Sequence, residues 1–218
     1  MLSEIAFEQI KDNYWYGAYG EFRVVVDKST GYINASKMCC DGGKDFYNWS
    51  RLKGSHELVE ALVLENSLAD VSADLDYMQT HTKPQIWGLV CKSITTAKLS
   101  TEDKLIAGTY CHPDLIPSIA GWVSPSFALK VSSNTESNSN LALVDLPAGI
   151  PASRSLVCKV VQTDNTIDGG TIISGTYTHP LLIPSIAGWI SPQFQIKANE
   201  VVNGYIVHGY MLNFFLSP

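Results

Sequence analysis

Along the chain the spacing of apolar positions changes several times, and each change marks an element. Phe22 to Val26 (FRVVV) is apolar and β-branched, Asp27 to Gly31 is rich in turn formers, and Tyr32 to Asn34 is extended again. This predicts a β-hairpin with Arg23 and Lys28 near its tip or edge. Ala35 to Cys40 then reads as a short helix closed by Asp41-Gly42-Gly43, since glycine ends a helix in the left-handed region at little cost. From Lys44 onward, Phe46, Trp49, Leu52, Leu58, Val59, Leu62 and Val63 follow helical spacing. Gly54-Ser55 predicts a break there, with Ser55 capping the second helix. Two helices across a short turn are compatible with a helix-turn-helix. Asn66 to Pro84 is acidic and weakly periodic, and reads as a loop.

The pattern of Leu89 to Ser132 occurs twice. Shifting the chain by 67 positions aligns LVCK at Leu89 with LVCK at Leu156, and then Ile106–Ser132 with Ile173–Asn199, with 23 of 44 positions identical. Changes such as Val123/Ile190 and Leu129/Ile196 keep an apolar side chain, as a packed core tolerates. Within the unit, Leu89 to Ile94 and Leu105 to Tyr110 read as two strands joined by a polar loop containing STEDK. Leu115, Ile116, Ile119 and Trp122 or Val123 then lie at the spacing of one helix face. Pro117 requires that this helix begin near Asp114 or bend there. Ser124-Pro125 predicts the cap and first position of another helix, with Phe127 and Val131 facing inward. The repeat is thus strand, loop, strand, helix, helix. It divides the chain into a domain over 1–132, a polar linker over 133–148 and a partial second copy over 149–218.

At 218 residues the chain can bury a full core, and its 45% hydrophobic and 17% charged content is that of an ordinary globular protein. Met1 to Asp12 has no secretory pattern, and Tyr205 to Leu216 is too short and polar to span a bilayer. Five cysteines without C-x-x-C spacing indicate neither a disulfide framework nor a zinc site, which fits a reduced, intracellular protein. The net charge of −6 comes from Ser55–Thr82, where Glu57, Glu60, Glu65, Asp70, Asp74 and Asp76 face no Lys or Arg. A domain-wide basic field is therefore absent, and any nucleic-acid function rests on a local patch.

The run Gly31–Lys53, GYINASKMCCDGGKDFYNWSRLK, followed by TYCHPDLIPSIAGWVSPSF, resembles the KilA-N domain of large DNA viruses and phages. Gly31, Tyr32, Ile33, Asn34, Ala35, Ser36, Lys37, Gly42, Gly43, Lys44, Trp49 and Arg51 match its first motif. Thr109, Tyr110, His112, Pro113, Ile119, Ala120, Trp122, Ser124, Pro125 and Phe127 match its second. The resemblance covers residues 14–132 and implies a small α+β domain of β-hairpins and short helices, similar to the APSES domain of fungal transcription factors, with a DNA-binding role. Here that domain is followed by a second copy of its hairpin-helix-helix half. Glu200 to Tyr210 resembles the family's final helix, an ending the first copy lacks.

For DNA the candidates are Arg23, Lys28, Lys37, Lys44, Arg51 and Lys53 for phosphate, with Asn34, Ser36 and Asn48 as hydrogen-bonding groups. Their structural alternative is a strand end with an N-cap and a solvated lysine face. Residues 20–53 carry a surplus of only two positive charges, so binding should be modest and salt-sensitive. His112 and His179 read as helix-start caps, Trp122 and Trp189 as core, and no nucleophile-base pair, metal cluster or cofactor motif stands out. The expected activity is viral-type, sequence-tolerant DNA binding in the infected cell, with no enzymatic role and no membrane. The rival is a protein-interaction or structural module on the same fold. Because the second copy has no amino-terminal half, its apolar face must be covered by the tail Val201–Phe215, by the first copy or by a second chain in a homodimer. Intrachain packing of the two copies is the expectation.

Overall fold

A computed structural model describes residues 2–69, 83–95, 100–136, 158–161, 175–179 and 182–216. Six strands form one antiparallel sheet in the order β1-β2-β3-β4-β6-β5, comprising β1 Ala6–Lys11, β2 Tyr14–Tyr19, β3 Phe22–Asp27, β4 Tyr32–Asn34, β5 Cys91–Ile94 and β6 Gly108–Cys111. The β3-β4 hairpin is the expected one. The β1-β2 pair was not foreseen, because its Glu, Gln and Lys break the apolar alternation that marks a strand. β2 and β3 pair without slippage from Tyr14–Asp27 to Tyr19–Phe22. Alternation then directs Val24 and Val26 into the core and Val25 to the opposite face beside Tyr16.

Helices α1 (Ala35–Asp41), α2 (Phe46–Ser50), α3 (Lys53–Ala69) and α4 (Lys83–Val90) precede β5; α4 takes in Leu89 and Val90, so the strand expected over Leu89–Ile94 is shortened to Cys91–Ile94. Asn34 caps α1 by accepting from the Lys37 N–H at 3.0 Å. The helix ends where Gly42 N–H reaches back to Met38 and Gly43 takes φ 72°. The break between α2 and α3 falls at Arg51-Leu52 rather than at Gly54-Ser55. Ser55 is buried inside α3, its N–H bonded to Leu52 O at 3.1 Å, so the exposed glycine before it is carried within the helix. α3 also runs to Ala69, through the start of the expected loop; residues 70–82 lie outside the described set.

In the first copy, the strand expected over Leu105–Tyr110 is shortened to β6, because α5 (Thr101–Ile106) takes up the polar loop. Ser100 Oγ accepts from the Asp103 N–H at 3.3 Å, and Glu102 and Asp103 sit at the positive helix end. The bend at Pro117 is resolved as a 3₁₀ turn over Pro113–Leu115 leading into α6 (Ile116–Val123). Ser124 then caps α7 (Pro125–Glu136), accepting from the Phe127 N–H at 3.2 Å. α7 thus extends into the start of the expected linker; residues 137–157 are outside the described set. The second copy contributes the strand pair β7 (Cys158–Val161) and β8 (Gly175–Thr178), then α8 (Ile183–Ile190) and α9 (Pro192–Leu216).

The core lies between the sheet and the helices, and α9 closes it. Ile196, Val202, Ile206 and Val207 join the same buried cluster as Leu2, Ile5, Leu62, Leu115 and Ile119. Residues of the unit expected over 149–218 therefore share a core with 1–132. Two asparagines fix the helix there. Asn199 Nδ2 donates to Asp114 O at 2.6 Å and to Ser118 Oγ at 2.8 Å. Asn203 Nδ2 donates to Pro113 O at 3.0 Å and to Asp114 Oδ1 at 3.1 Å, while its Oδ1 accepts from the Tyr19 hydroxyl at 2.8 Å. The two copies therefore meet through one face of α9. The apolar face of α8 is not part of that contact. Trp189, expected in a core, is 83% exposed, because the surface that covers this face in the first copy occurs once in the chain and is already occupied.

Candidate nucleic-acid interface

The candidate cations fall in two places, the β2-β3 hairpin and the α1-α2 region. On the hairpin, the Arg23 guanidinium lies 3.9 Å from the Tyr16 ring centre and 3.3 Å from Glu8 Oε2. Lys28, in the turn after β3, lies 4.1 Å over the Trp15 ring. A cation on an aromatic face is held in place while its outer side stays available to an anion.

In α2 the apolar spacing decides which residues face out. Asp45 caps the helix through the Tyr47 N–H at 2.9 Å. Phe46 and Trp49 turn inward, their rings stacked at 5.7 Å. Tyr47, Asn48 and Arg51 are left exposed on the other side, with the Arg51 guanidinium 5.3 Å from the Tyr47 ring centre. Lys53 is exposed and pairs with Glu57 at 3.1 Å. Tyr47, Trp15 and Tyr16 were not among the candidates from sequence. The signal for Tyr47 was present, since it lies out of phase with the buried pair on either side of it.

Other candidates are tied into the fold. Asn34 is fully buried, and besides capping α1 its amide donates to Ala107 O at 2.9 Å. Ser36 Oγ accepts from the Thr109 N–H at 3.0 Å. Both side chains thus join the amino-terminal half to the first copy, Asn34 fully buried and Ser36 half-buried. Lys44 is half-buried, donating its ammonium to the Trp122 carbonyl and lying 4.4 Å over that ring. Lys37 is half-exposed on α1.

Cys39 is buried, and burial pushes its thiol up to about 12, which keeps it protonated and unreactive. Cys91 and Cys111 face each other across β5-β6 with Sγ atoms 3.0 Å apart, and burial likewise raises Cys111. Among the described residues no group of His, Cys, Asp and Glu is arranged to hold a metal ion, and no helix is long and apolar enough to cross a membrane.

His112 caps as expected, Nδ1 accepting from the Asp114 N–H at 3.2 Å. That bond requires a neutral ring nitrogen, and burial lowers the His112 pKa below its ordinary 6.5, against the opposing pull of Asp114. The unfolded chain therefore binds the extra proton first, and stability falls as pH drops below 6.5. Asp114 is raised by burial and works the other way nearer pH 4. His112→Asn keeps a capping acceptor without the titration. It is expected to flatten the loss of melting temperature expected of the parent as pH drops below 6.5, read by melting curves of both across that range.

An antiparallel sheet backed by helices, with cations laid over aromatic rings on a hairpin and a surface helix, defines an α+β domain. The chain belongs to the KilA-N domain family, whose model matches residues 17–141 and again 148–208. It is 36% identical over 132 residues to KilA-N domain-containing protein L4 of Acanthamoeba polyphaga mimivirus, covering 60% of this chain and 24% of that protein. It is 31% identical over 126 residues to protein 313L of Invertebrate iridescent virus 6, covering 58% of this chain and 31% of that one. Protein 315L of the same virus is 49% identical over 59 residues, 27% of this chain and 25% of its own length. The matched region thus spans about a quarter to a third of these relatives. No solved structure matches.

Proposed function

We propose that this chain binds DNA through its amino-terminal half, with weak sequence selectivity, in a cell infected by a large DNA virus. The observation that carries the reading is the outward face of α2, where Tyr47, Asn48 and Arg51 stand together with Arg51 over the Tyr47 ring. Lys28 on Trp15 and Arg23 on Tyr16 add two more cations backed by aromatic rings. In this reading Arg51, Lys28 and Arg23 neutralise phosphates, Lys37 and Lys53 add charge nearby, and Asn48 offers an amide for a base edge or phosphate. Lys44 orients α1 against α6. The acidic α3 limits the field, so two to four phosphate contacts are expected, with a log-log salt slope of about −2 to −4.

The test is affinity for duplex and single-stranded DNA at two salt concentrations, in the parent and in Lys28→Glu with Arg51→Glu. Both residues are exposed, so the double variant should melt near the parent temperature and bind at least about tenfold more weakly at low salt, with a shallower slope. A parent that does not bind at about 50 mM salt, or a variant that binds as well as the parent, leaves the interaction-module reading in its place.

A further inference from the structure

The second copy keeps an apolar face that nothing in the described structure covers. Ile183, Ile186, Ile190 and Phe194 are 49%, 39%, 70% and 45% exposed. Their counterparts Ile116, Ile119, Val123 and Phe127 are buried, at 0%, 0%, 7% and 5%. What covers them in the first copy is specific. α6 packs on α1, where Val123 comes so close to Gly42 that a Cβ there would overlap it, and Phe127 sits against Tyr19 and Phe22 at 5.8 and 5.5 Å. The repeat therefore identifies the complement of the exposed face as the β2-β3 hairpin together with α1.

Polar contacts at that seam are also retained. Glu21 accepts from Ser124 Oγ at 2.6 Å and from Lys130 Nζ at 2.9 Å, and the second copy has Ser191 and Lys197 at those positions. The helices show the same relation. Phe127 is buried and Val131 half-buried on the inner side of α7; the matching positions of α9, Phe194 and Ala198, continue as Val201 and Tyr205 at helical spacing. Val201 and Tyr205 are 62% and 53% exposed, so this stripe lies opposite the face by which α9 now packs. Even the anchoring of α9 has a counterpart in its own copy. Of the groups that accept from Asn199 and Asn203, the second copy repeats Ser118 as Ser185 and has backbone carbonyls at Pro180 and Leu181. It lacks only the Asp114 carboxylate.

We propose that the amino-terminal half has two alternative closing units within one chain. In the state described, β5-β6 with α6 and α7 closes it. In the other, β7-β8 with α8 and α9 takes that place, and the first copy is released with its own apolar face outward. The loss of the Asp114-Asn203 contact biases the exchange toward the first closure.

The test uses the full-length chain. Ile119→Glu places a charge in the buried face of the first copy, and Ile186→Glu does the same in the second. Ile186→Glu alone should leave the melting temperature unchanged. Ile119→Glu should keep a cooperative transition at lower temperature, have the parent's mass by light scattering, and shift solvent exposure from Trp189 to Trp122, read by fluorotryptophan resonances assigned with Trp→Phe variants. Combining the two should abolish the transition. The proposal is overturned if Ile119→Glu behaves like the double variant, whether both unfold or both stay folded, or if Trp189 remains the exposed ring. It is also overturned if Ile119→Glu folds only as a dimer, which would assign the second copy to a neighbouring chain.

Discussion

A chain ending at Glu136 is expected to show no cooperative unfolding transition. Such a chain lacks α9, and with it four buried side chains, Ile196, Val202, Ile206 and Val207, that complete the core. At about 1.5 to 3 kcal/mol for each fully buried aliphatic side chain, the loss is roughly 6 to 12 kcal/mol as an upper estimate. It is comparable to the whole stability of a typical domain, about 5 to 15 kcal/mol. The buried Tyr19 hydroxyl would also lose Asn203, its partner at 2.8 Å. Rejoining Gln195–Leu216, which carries all four side chains, to Glu136 through a flexible Gly/Ser linker should restore a transition seen by circular dichroism or calorimetry. A shortened chain that melts at the full-length temperature would show that α9 is dispensable and that its packing contributes little.

Trp49→Ala carries the second large effect, a loss of roughly 3 to 5 kcal/mol in urea unfolding. Its ring is 3% exposed, stacked on Phe46 and set edge-on to Trp87 at 6.1 Å. Trp87 is itself held by a bond from its Nε1 to His56 Nδ1 at 3.2 Å. Truncating Trp49 therefore leaves a cavity where α2, α3 and α4 meet, and the surrounding rings cannot close it without breaking that bond. A change below about 1 kcal/mol, accompanied by weaker binding of single-stranded DNA, would instead make Trp49 a surface on which bases stack.

These residues also show where the sequence was informative. Phe46 and Trp49 lie three apart, a spacing that only a helix places on one side, so their burial followed from periodicity. The cap at Ser124 and the glycine end of α1 followed from local chemistry that does not depend on the rest of the fold. β1 was hidden because its residues are mixed in polarity and half-exposed, and pairing with β2 rather than its own pattern makes it a strand. α5 was hidden because six residues of polar sequence look like a loop unless the capping serine is given weight. At the candidate site, Arg23, Lys28, Asn48 and Arg51 were legible as exposed polar residues beside turns and short helices. The structural partners of Asn34 and Ser36 could not be read locally, since they lie 73 positions away, at Ala107 and Thr109. The exposure of Trp189 could not be read from the repeat, because identical residues pack differently when only one of two copies finds its complement.

The bond between Tyr19 and Asn203 joins residues 184 positions apart. Its strand therefore leaves the ribosome well before its helix. Domains generally fold as they are made, at about 5 to 20 residues per second, and contacts between distant residues slow the process because a long loop must close first. Here the amino-terminal sheet emerges many seconds before α9, with one side of its core still uncovered. During synthesis the first copy therefore meets the amino-terminal sheet before the second exists, and the buried cluster is completed only when α9 follows.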